Sequence, residues 1–254
     1  MNNTFCLRRT AAYATKFYTE YAQTLIYAGC GTLLLLIGGC LLSNNNWMFI
    51  DGAQFLLIFW IMGMVHLNTH NTHKRQEAVS VYLLPATKLE KYLSIWFHSL
   101  VVPLAVYAVL LCATVCISQS TFFDLHLDWK MVFGAVFSVK MLATTLAFHA
   151  LSLLICASTH RNPMLWYVVA LAAYLVVDIG LRRIEIAGVV PVYNIFPPVK
   201  SWITMTGDQA NISIFGFSAL TEATCDLLEM GFFLVTACVF WVAGYFRFYE
   251  REIK

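Results

Sequence analysis

Residues 76–96 read QEAVSVYLLPATKLEKYLSIW. The segment is charged and aromatic, and it lies between two long apolar runs. A soluble domain has no use for that arrangement, whereas a membrane protein that engages something in the aqueous phase does. Val79, Val81, Tyr82, Leu83 and Leu84 form an apolar patch with no span to belong to, and an apolar patch rimmed by charge suits a protein partner. Pro85 fits the first turn of a helix, where its missing N–H leaves no bond unmade. Leu89, Tyr92, Leu93 and Trp96 then recur at helical spacing and are expected to face the bilayer or a helix bundle. Lys88, Glu90 and Lys91 point mostly elsewhere. A plain interfacial loop is the competing reading.

The rest of the chain supplies the bilayer context. Of 254 residues, 60% are hydrophobic and 12% charged, and the mean hydropathy is +0.70. Soluble domains carry about 25% charged residues, and a bilayer core takes about 20 apolar residues per helix. The pattern predicts an all-α integral membrane protein, one transmembrane domain over 1–254, with six spans near 24–42, 50–67, 95–117, 131–157, 164–181 and 227–246. The second is the shortest free of charge, with Asp51 at its outer end, so a re-entrant pair is its alternative. A net charge of +2 gives no basic patch for nucleic acid. The surroundings it fits are membrane lipids. The first apolar run is too long for the core of a cleaved leader.

Charge sets the orientation. With the N-terminus inside, the inner segments hold Arg8, Arg9, Lys16, Lys74, Arg75, Lys88, Lys91, Arg161, Arg247, Arg251 and Lys254. The outer segments hold only Lys130, Arg182, Arg183 and Lys200. Lys and Arg favour the cytoplasmic side of short loops, so both termini are expected in the cytoplasm. Trp47, Trp96, Trp129 and Trp166 fall at span ends, as interfacial anchors do. Tyr13, Phe17 and Tyr21 repeat at four-residue spacing beside basic residues, which predicts an interfacial helix within 1–23. A cytosolic segment follows at 68–94. The outer segment 182–226 is too apolar for an aqueous linker and is expected to dip into the interface or cap the bundle.

Motifs for chemistry are sparse. None of the thirteen glycines precedes a lysine, so no G-x-x-x-x-G-K phosphate loop exists. There is no H-E-x-x-H, G-x-S-x-G or paired E-x-x-H motif. No catalytic residue, metal ligand or cofactor is therefore assigned to this chain. His66, His70 and His73 share a helix face, but in HLNTHNTHKR they read as a solvated helix end rather than a metal stripe. Of the eight cysteines, Cys30, Cys40, Cys112, Cys116, Cys156 and Cys238 lie within apolar runs and read as small hydrophobes.

Four residues are candidates for a polar path through the membrane. Lys140 lies within the fourth expected span, where a charge must face water or a partner. Asp178 and Glu229 are the candidate partners, and a structural ion pair is the alternative to a pathway-lining role. His149 is either a hydrogen-bonded core residue or a proton relay. Glu222, Asp226 and Glu229 form a stripe at the start of the last span, explained by the helix dipole or by an acidic outer vestibule. Gly29, Gly31, Gly38 and Gly39 are expected to permit close helix packing or subunit contact, and Pro103 to bend the third span.

Together these features resemble the membrane subunit of type-2 ABC exporters, bacterial permeases of six spans. The N-terminal amphipathic segment, VYLLPATKLEKYLSIW between spans two and three, and the aromatic, basic exit GYFRFYEREIK carry the resemblance. The family's inner segment has a similar Leu-Pro-Ala-Ser/Thr-x-x-Glu-Lys pattern. The resemblance implies a cytosolic coupling helix that docks on a separate ABC ATPase subunit, here around 81–91 with Val81, Leu84, Pro85, Lys88, Glu90 and Lys91. It also implies a second permease chain, identical to this one or a paralogue of it, with ATP and Mg held in the partner ATPase. The expected location is the bacterial cytoplasmic membrane. The long outer segment and Lys140 depart from the pattern. An integral membrane enzyme using His149 or the 66/70/73 stripe, and a membrane anchor or sensor that recruits a cytosolic protein, are the rival classes.

Overall fold

The structure is a computed structural model and describes residues 7–43, 45–73, 87–119, 127–159, 163, 165–167, 169–170, 190–192, 201–206, 209–214, 217–220 and 222–251. Among the described residues, the helices with defined bounds run in chain order as α1 Leu7–Leu42, α2 Asn46–His73, α3 Lys88–Ser118, α4 Trp129–Val136, α5 Val139–Ser158 and α6 Glu222–Arg251. Four strands stand between α5 and α6 in sequence: β1 Val190–Val192, β2 Ser201–Thr206, β3 Gln209–Ile214 and β4 Phe217–Leu220. Five of the helices are long and apolar enough to cross a membrane, over Phe17–Leu42, Asn46–Thr69, Lys88–Ser118, Val139–Ser158 and Met230–Glu250. The chain is a multi-pass membrane protein, and most of the fifth expected span, 164–181, lies outside the described residues.

α2 is the hub and packs against α1, α3, α4 and α5. Its apolar residues encircle it, as suits a helix buried on several sides. Ile50, Leu57, Ile61 and Val65 are all essentially inaccessible. Bonds from side chain to backbone tie the neighbours to it. Tyr107 Oη donates to Ala53 O at 2.6 Å, Trp60 Nε1 to Pro103 O at 3.0 Å, and Gln54 Nε2 to Ala135 O at 3.1 Å. The first two pairs run in opposite senses, so α2 and α3 are antiparallel. α2 is a continuous helix of 28 residues, long and apolar enough to cross a membrane.

Several expectations are corrected. The N-terminal segment is no separate interfacial helix over 1–23, because α1 continues unbroken for 36 residues from Leu7 through the first span. Its inner part is held inward, with Phe17 buried and Tyr18 Oη 3.0 Å from His98 Nδ1. The fourth span is not one helix from 131 to 157. Phe137 leaves the helical region, and Ser138 caps a new helix by accepting from Met141 N at 3.2 Å. A capped serine gives the backbone an alternative to continuing α4. Lys140 therefore sits in the first turn of α5 rather than in mid-helix.

The outer segment is the other departure. The four strands form an antiparallel sheet ordered β1-β2-β3-β4, with Val190 opposite Ile203 and Ser201 opposite Ile214. The register shifts between Ile212 and Ile214 where β3 meets β4. Alternating residues in ITMT and ANISI suit a pleated ribbon, and the ladder satisfies the backbone groups that an apolar loop near lipid would leave bare.

Apolar side chains on α1 and α6 remain open to the surroundings, among them Leu34, Leu42, Val235 and Phe246. In a bilayer such faces are solvated by lipid and carry no burial penalty. An added Cβ at Gly29, Gly31 or Gly38 would meet nothing within 4 Å, so these glycines do not bring helices close within the protomer.

Candidate functional site: the α3–α5–α6 seam

The polar and aromatic side chains of the bundle gather where α3, α5 and α6 meet. On α3, Lys88, Tyr92 and Trp96 recur every four residues and form one stripe. On α6, Trp241, Tyr245 and Tyr249 do the same. The stripes meet in antiparallel register. Lys88 Nζ stands 3.7 Å from the centroid of the Tyr249 ring. Tyr92 and Tyr245 meet edge to face at 5.4 Å, and Trp96 and Trp241 at 5.6 Å. Edge-to-face pairs of this kind add about 0.5–1.5 kcal/mol each beyond area. Tyr92 Oη also donates to Trp241 O at 2.8 Å.

His149 of α5 enters the seam fully buried. Trp241 Nε1 donates to its Nδ1 at 3.1 Å, and its Nε2 lies 2.8 Å from Ser99 Oγ. An indole N–H can only donate, so Nδ1 is the unprotonated nitrogen and Nε2 carries the proton. Nε2 then donates to Ser99 Oγ, and Ser99 donates to Ile95 O at 2.7 Å. Both imidazole nitrogens are engaged, and Ser99 Oγ accepts from one side and donates to the other. The arrangement holds three helices at a fixed depth and leaves the imidazole no spare nitrogen for acid–base work.

α5 and α6 pack along the greatest length in the bundle. Ala143 and Ala147 cluster with Phe233, His149 bonds Trp241, and Leu154 lies against Gly244. Both numbers rise together, so the two helices run parallel. Close approach is possible because Gly244 has no side chain. Tyr167 joins from the neighbouring segment, with its Oη 2.9 Å from Cys156 Sγ.

The expected docking residues separate. Val81, Leu84 and Pro85 lie outside the described residues. α3 begins at Lys88, capped by Thr87. Glu90 does not project from the charged face. Its Oε2 accepts from Thr87 N at 2.7 Å, while Thr87 Oγ1 accepts from Glu90 N, a reciprocal capping box. Glu90 and Lys91 are 1% and 4% exposed and cannot form an outward surface in this arrangement. Only Lys88 among these three remains partly accessible. Leu89 and Leu93 face outward and Tyr92 inward, so the apolar stripe divides between lipid and bundle.

Of the candidate path residues, Asp178 lies outside the described residues, and Glu229 is described in its backbone alone, as are Glu222 and Asp226. Lys140 is half-buried in the first turn of α5, and its carbonyl accepts from Thr144 Oγ1 at 3.0 Å. The parallel register of α5 and α6 puts position 229 level with it. Trp96 is corrected from an interfacial anchor to a member of the seam, whereas Trp47, Trp129 and Trp166 remain exposed. His70 and His73 fall on α2 with backbone alone described. Among the described residues, no group of three or more His, Cys, Asp or Glu side chains could hold a metal ion.

The chain matches no family model, no curated protein and no solved structure to which it was compared.

Proposed function

We propose that this protein is the membrane-spanning permease subunit of an ABC exporter, working as a pair of identical chains and driven by a separate cytosolic ATPase. Support comes from the join between the cytosolic segment and the bundle. The capping box of Thr87 and Glu90 fixes the first turn of α3, and Lys88 on that turn rests on Tyr249 of α6. A push on the adjoining segment 81–87 would be passed to two membrane helices as rigid-body movement. ATP and Mg belong to the partner, since this chain carries no phosphate loop.

The proposed topology has six spans with both termini in the cytoplasm of a bacterial inner membrane. α5 and α6 run parallel, so the chain between them returns across the bilayer an odd number of times. The apolar stretch 164–181 supplies one crossing, and the sheet over 190–220 then lies outside. Lys140 pairs with Glu229 or Asp178, and its depth fits a pathway wall as well as a structural lock.

The docking surface is narrowed to Val81, Leu84, Pro85 and Lys88. The enzyme alternative is disfavoured at His149, whose nitrogens are both committed to Trp241 and Ser99. The anchor or sensor alternative shares the docking surface and differs in having no substrate. The test is reconstitution of the chain with a candidate ABC ATPase subunit. Substrate-dependent ATP hydrolysis by the complex, absent from this chain alone, is expected. A stable complex that moves nothing and shows no stimulation favours the anchor.

A further inference from the structure

We infer that Asn68, Ser94 and Ser152 hold buried water between α2, α3 and α5, at the end of the bundle that carries Lys88 and Arg247. Nine serine and threonine side chains are buried among the described residues. Seven of them donate to a backbone carbonyl three or four residues earlier, as Thr69 does to Val65 and Thr145 to Met141. This is the usual way a hydroxyl is satisfied within an apolar helix. Ser94 and Ser152 are the two that do not, although each is 1% exposed. Asn68, 3% exposed, donates from Nδ2 to Met64 O at 2.9 Å and leaves its Oδ1 without a partner.

The three oxygens belong to one level of the bundle. Ala53 with Tyr107 and Trp60 with Pro103 set a register between α2 and α3 that puts position 68 level with position 94. Ser99 with His149 puts position 152 level with 96. Val65, Ile95 and Leu153 pack in one apolar cluster, and each is within three residues of one of the orphaned oxygens. The three therefore lie within about one helical turn of depth, roughly 5 Å.

The donor set selects the guest. Asn68 Oδ1 can only accept, and the two hydroxyls can accept or donate. No carboxylate among the described residues is hydrogen-bonded to any of the three oxygens, and a neutral molecule that both gives and takes hydrogen bonds satisfies all three. Buried water makes about three such bonds in folded proteins and is retained where it does. The water would join α2 to α3 and α5 at this level.

A double-mutant cycle on the full chain in lipid nanodiscs tests this. Ser94→Ala and Ser152→Ala are each expected to lower the unfolding midpoint, and the double variant to fall no further than the worse single. Two hydroxyls that do not touch can be coupled in this way through a shared guest. Thr145→Ala is the control, and its effect should add to either. Midpoints that stay level or rise in the single variants, or losses that simply add, would overturn the inference. So would a wild-type midpoint that depends on Na⁺ or K⁺ and loses that dependence in the variants, since the guest would then be a cation. A structure that orders solvent gives the second readout: water within hydrogen-bond distance of at least two of the three oxygens is expected, and a direct Ser94–Asn68 bond would contradict it.

Discussion

Gly244 of α6 lies against Leu154 of α5, so close that a Cβ added there would stand 3.6 Å from the Leu154 amide nitrogen and 3.2 Å from Tyr92 Oη. The glycine thus sets the spacing of the α5–α6 pair and admits the tyrosine from α3. At Gly231, on the same helix, an added Cβ would meet nothing within 4 Å. Replacing a helical glycine by alanine gains up to about 1 kcal/mol. Gly231→Ala should therefore raise the unfolding midpoint in detergent. Gly244→Ala should lose that gain by displacing Tyr92 Oη from Trp241 O, and Gly244→Val should cost about 1–3 kcal/mol by overpacking. Equal responses at the two glycines would contradict the close approach.

Trp241→Phe keeps a ring in the seam and removes the donor to His149. Hydrogen bonds between membrane helices average about 0.6 kcal/mol and reach about 1.7 kcal/mol. A loss in that range is expected from thermal unfolding. His149→Phe should then make the Trp241 substitution nearly neutral. Independent, additive losses would show that the Trp241–His149 bond is not the coupling.

Lys140 at the start of a helix is doubly unfavourable, within the bilayer and against the positive end of the helix dipole. The α5–α6 register makes Glu229 its expected partner ahead of Asp178. Lys140→Glu and Glu229→Lys should each reduce the amount of folded protein in the membrane, because each places two like charges together. The double exchange should recover it. Recovery with Asp178→Lys in place of Glu229→Lys would assign the pair to Asp178.

The helical membrane plan was legible because lipid imposes length and apolarity on every span. Five of the expected spans overlap helices long enough to cross, Phe17–Leu42 and Met230–Glu250 among them. The break at Phe137–Ser138 was hidden because Phe-Ser is apolar enough to be read through. Its signal was Ser138, a capping residue inside an otherwise apolar run. The sheet was missed because ISIF and ITMT read as interfacial loop when hydropathy alone is weighed, though their alternation suits strands. The seam was half visible. Tyr92 with Trp96, and Trp241 with Tyr245 and Tyr249, are helical stripes in the sequence. What pairs one stripe with another is tertiary, so Trp96 passed for an interfacial anchor. Glu90 was taken as a surface charge, yet Thr-x-x-Glu before an apolar run is a capping box, and that signal was present at 87–90.

Reporter fusions test the topology. One at Lys254 and one within 207–211 should report opposite sides of the membrane. The same side for both would exclude the return crossing between α5 and α6.

The central claim is that the segment before α3 receives an ATPase, and Leu84→Asp tests it most directly. A buried, unpaired carboxylate in an apolar dock is strongly unfavourable. With a candidate ABC ATPase subunit co-expressed and the complex purified through this chain, the account predicts that Leu84→Asp stays in the membrane at wild-type levels but brings down no ATPase. Full co-purification with Leu84→Asp, or crosslinks from the ATPase that map to 157–164 rather than 81–88, would contradict it.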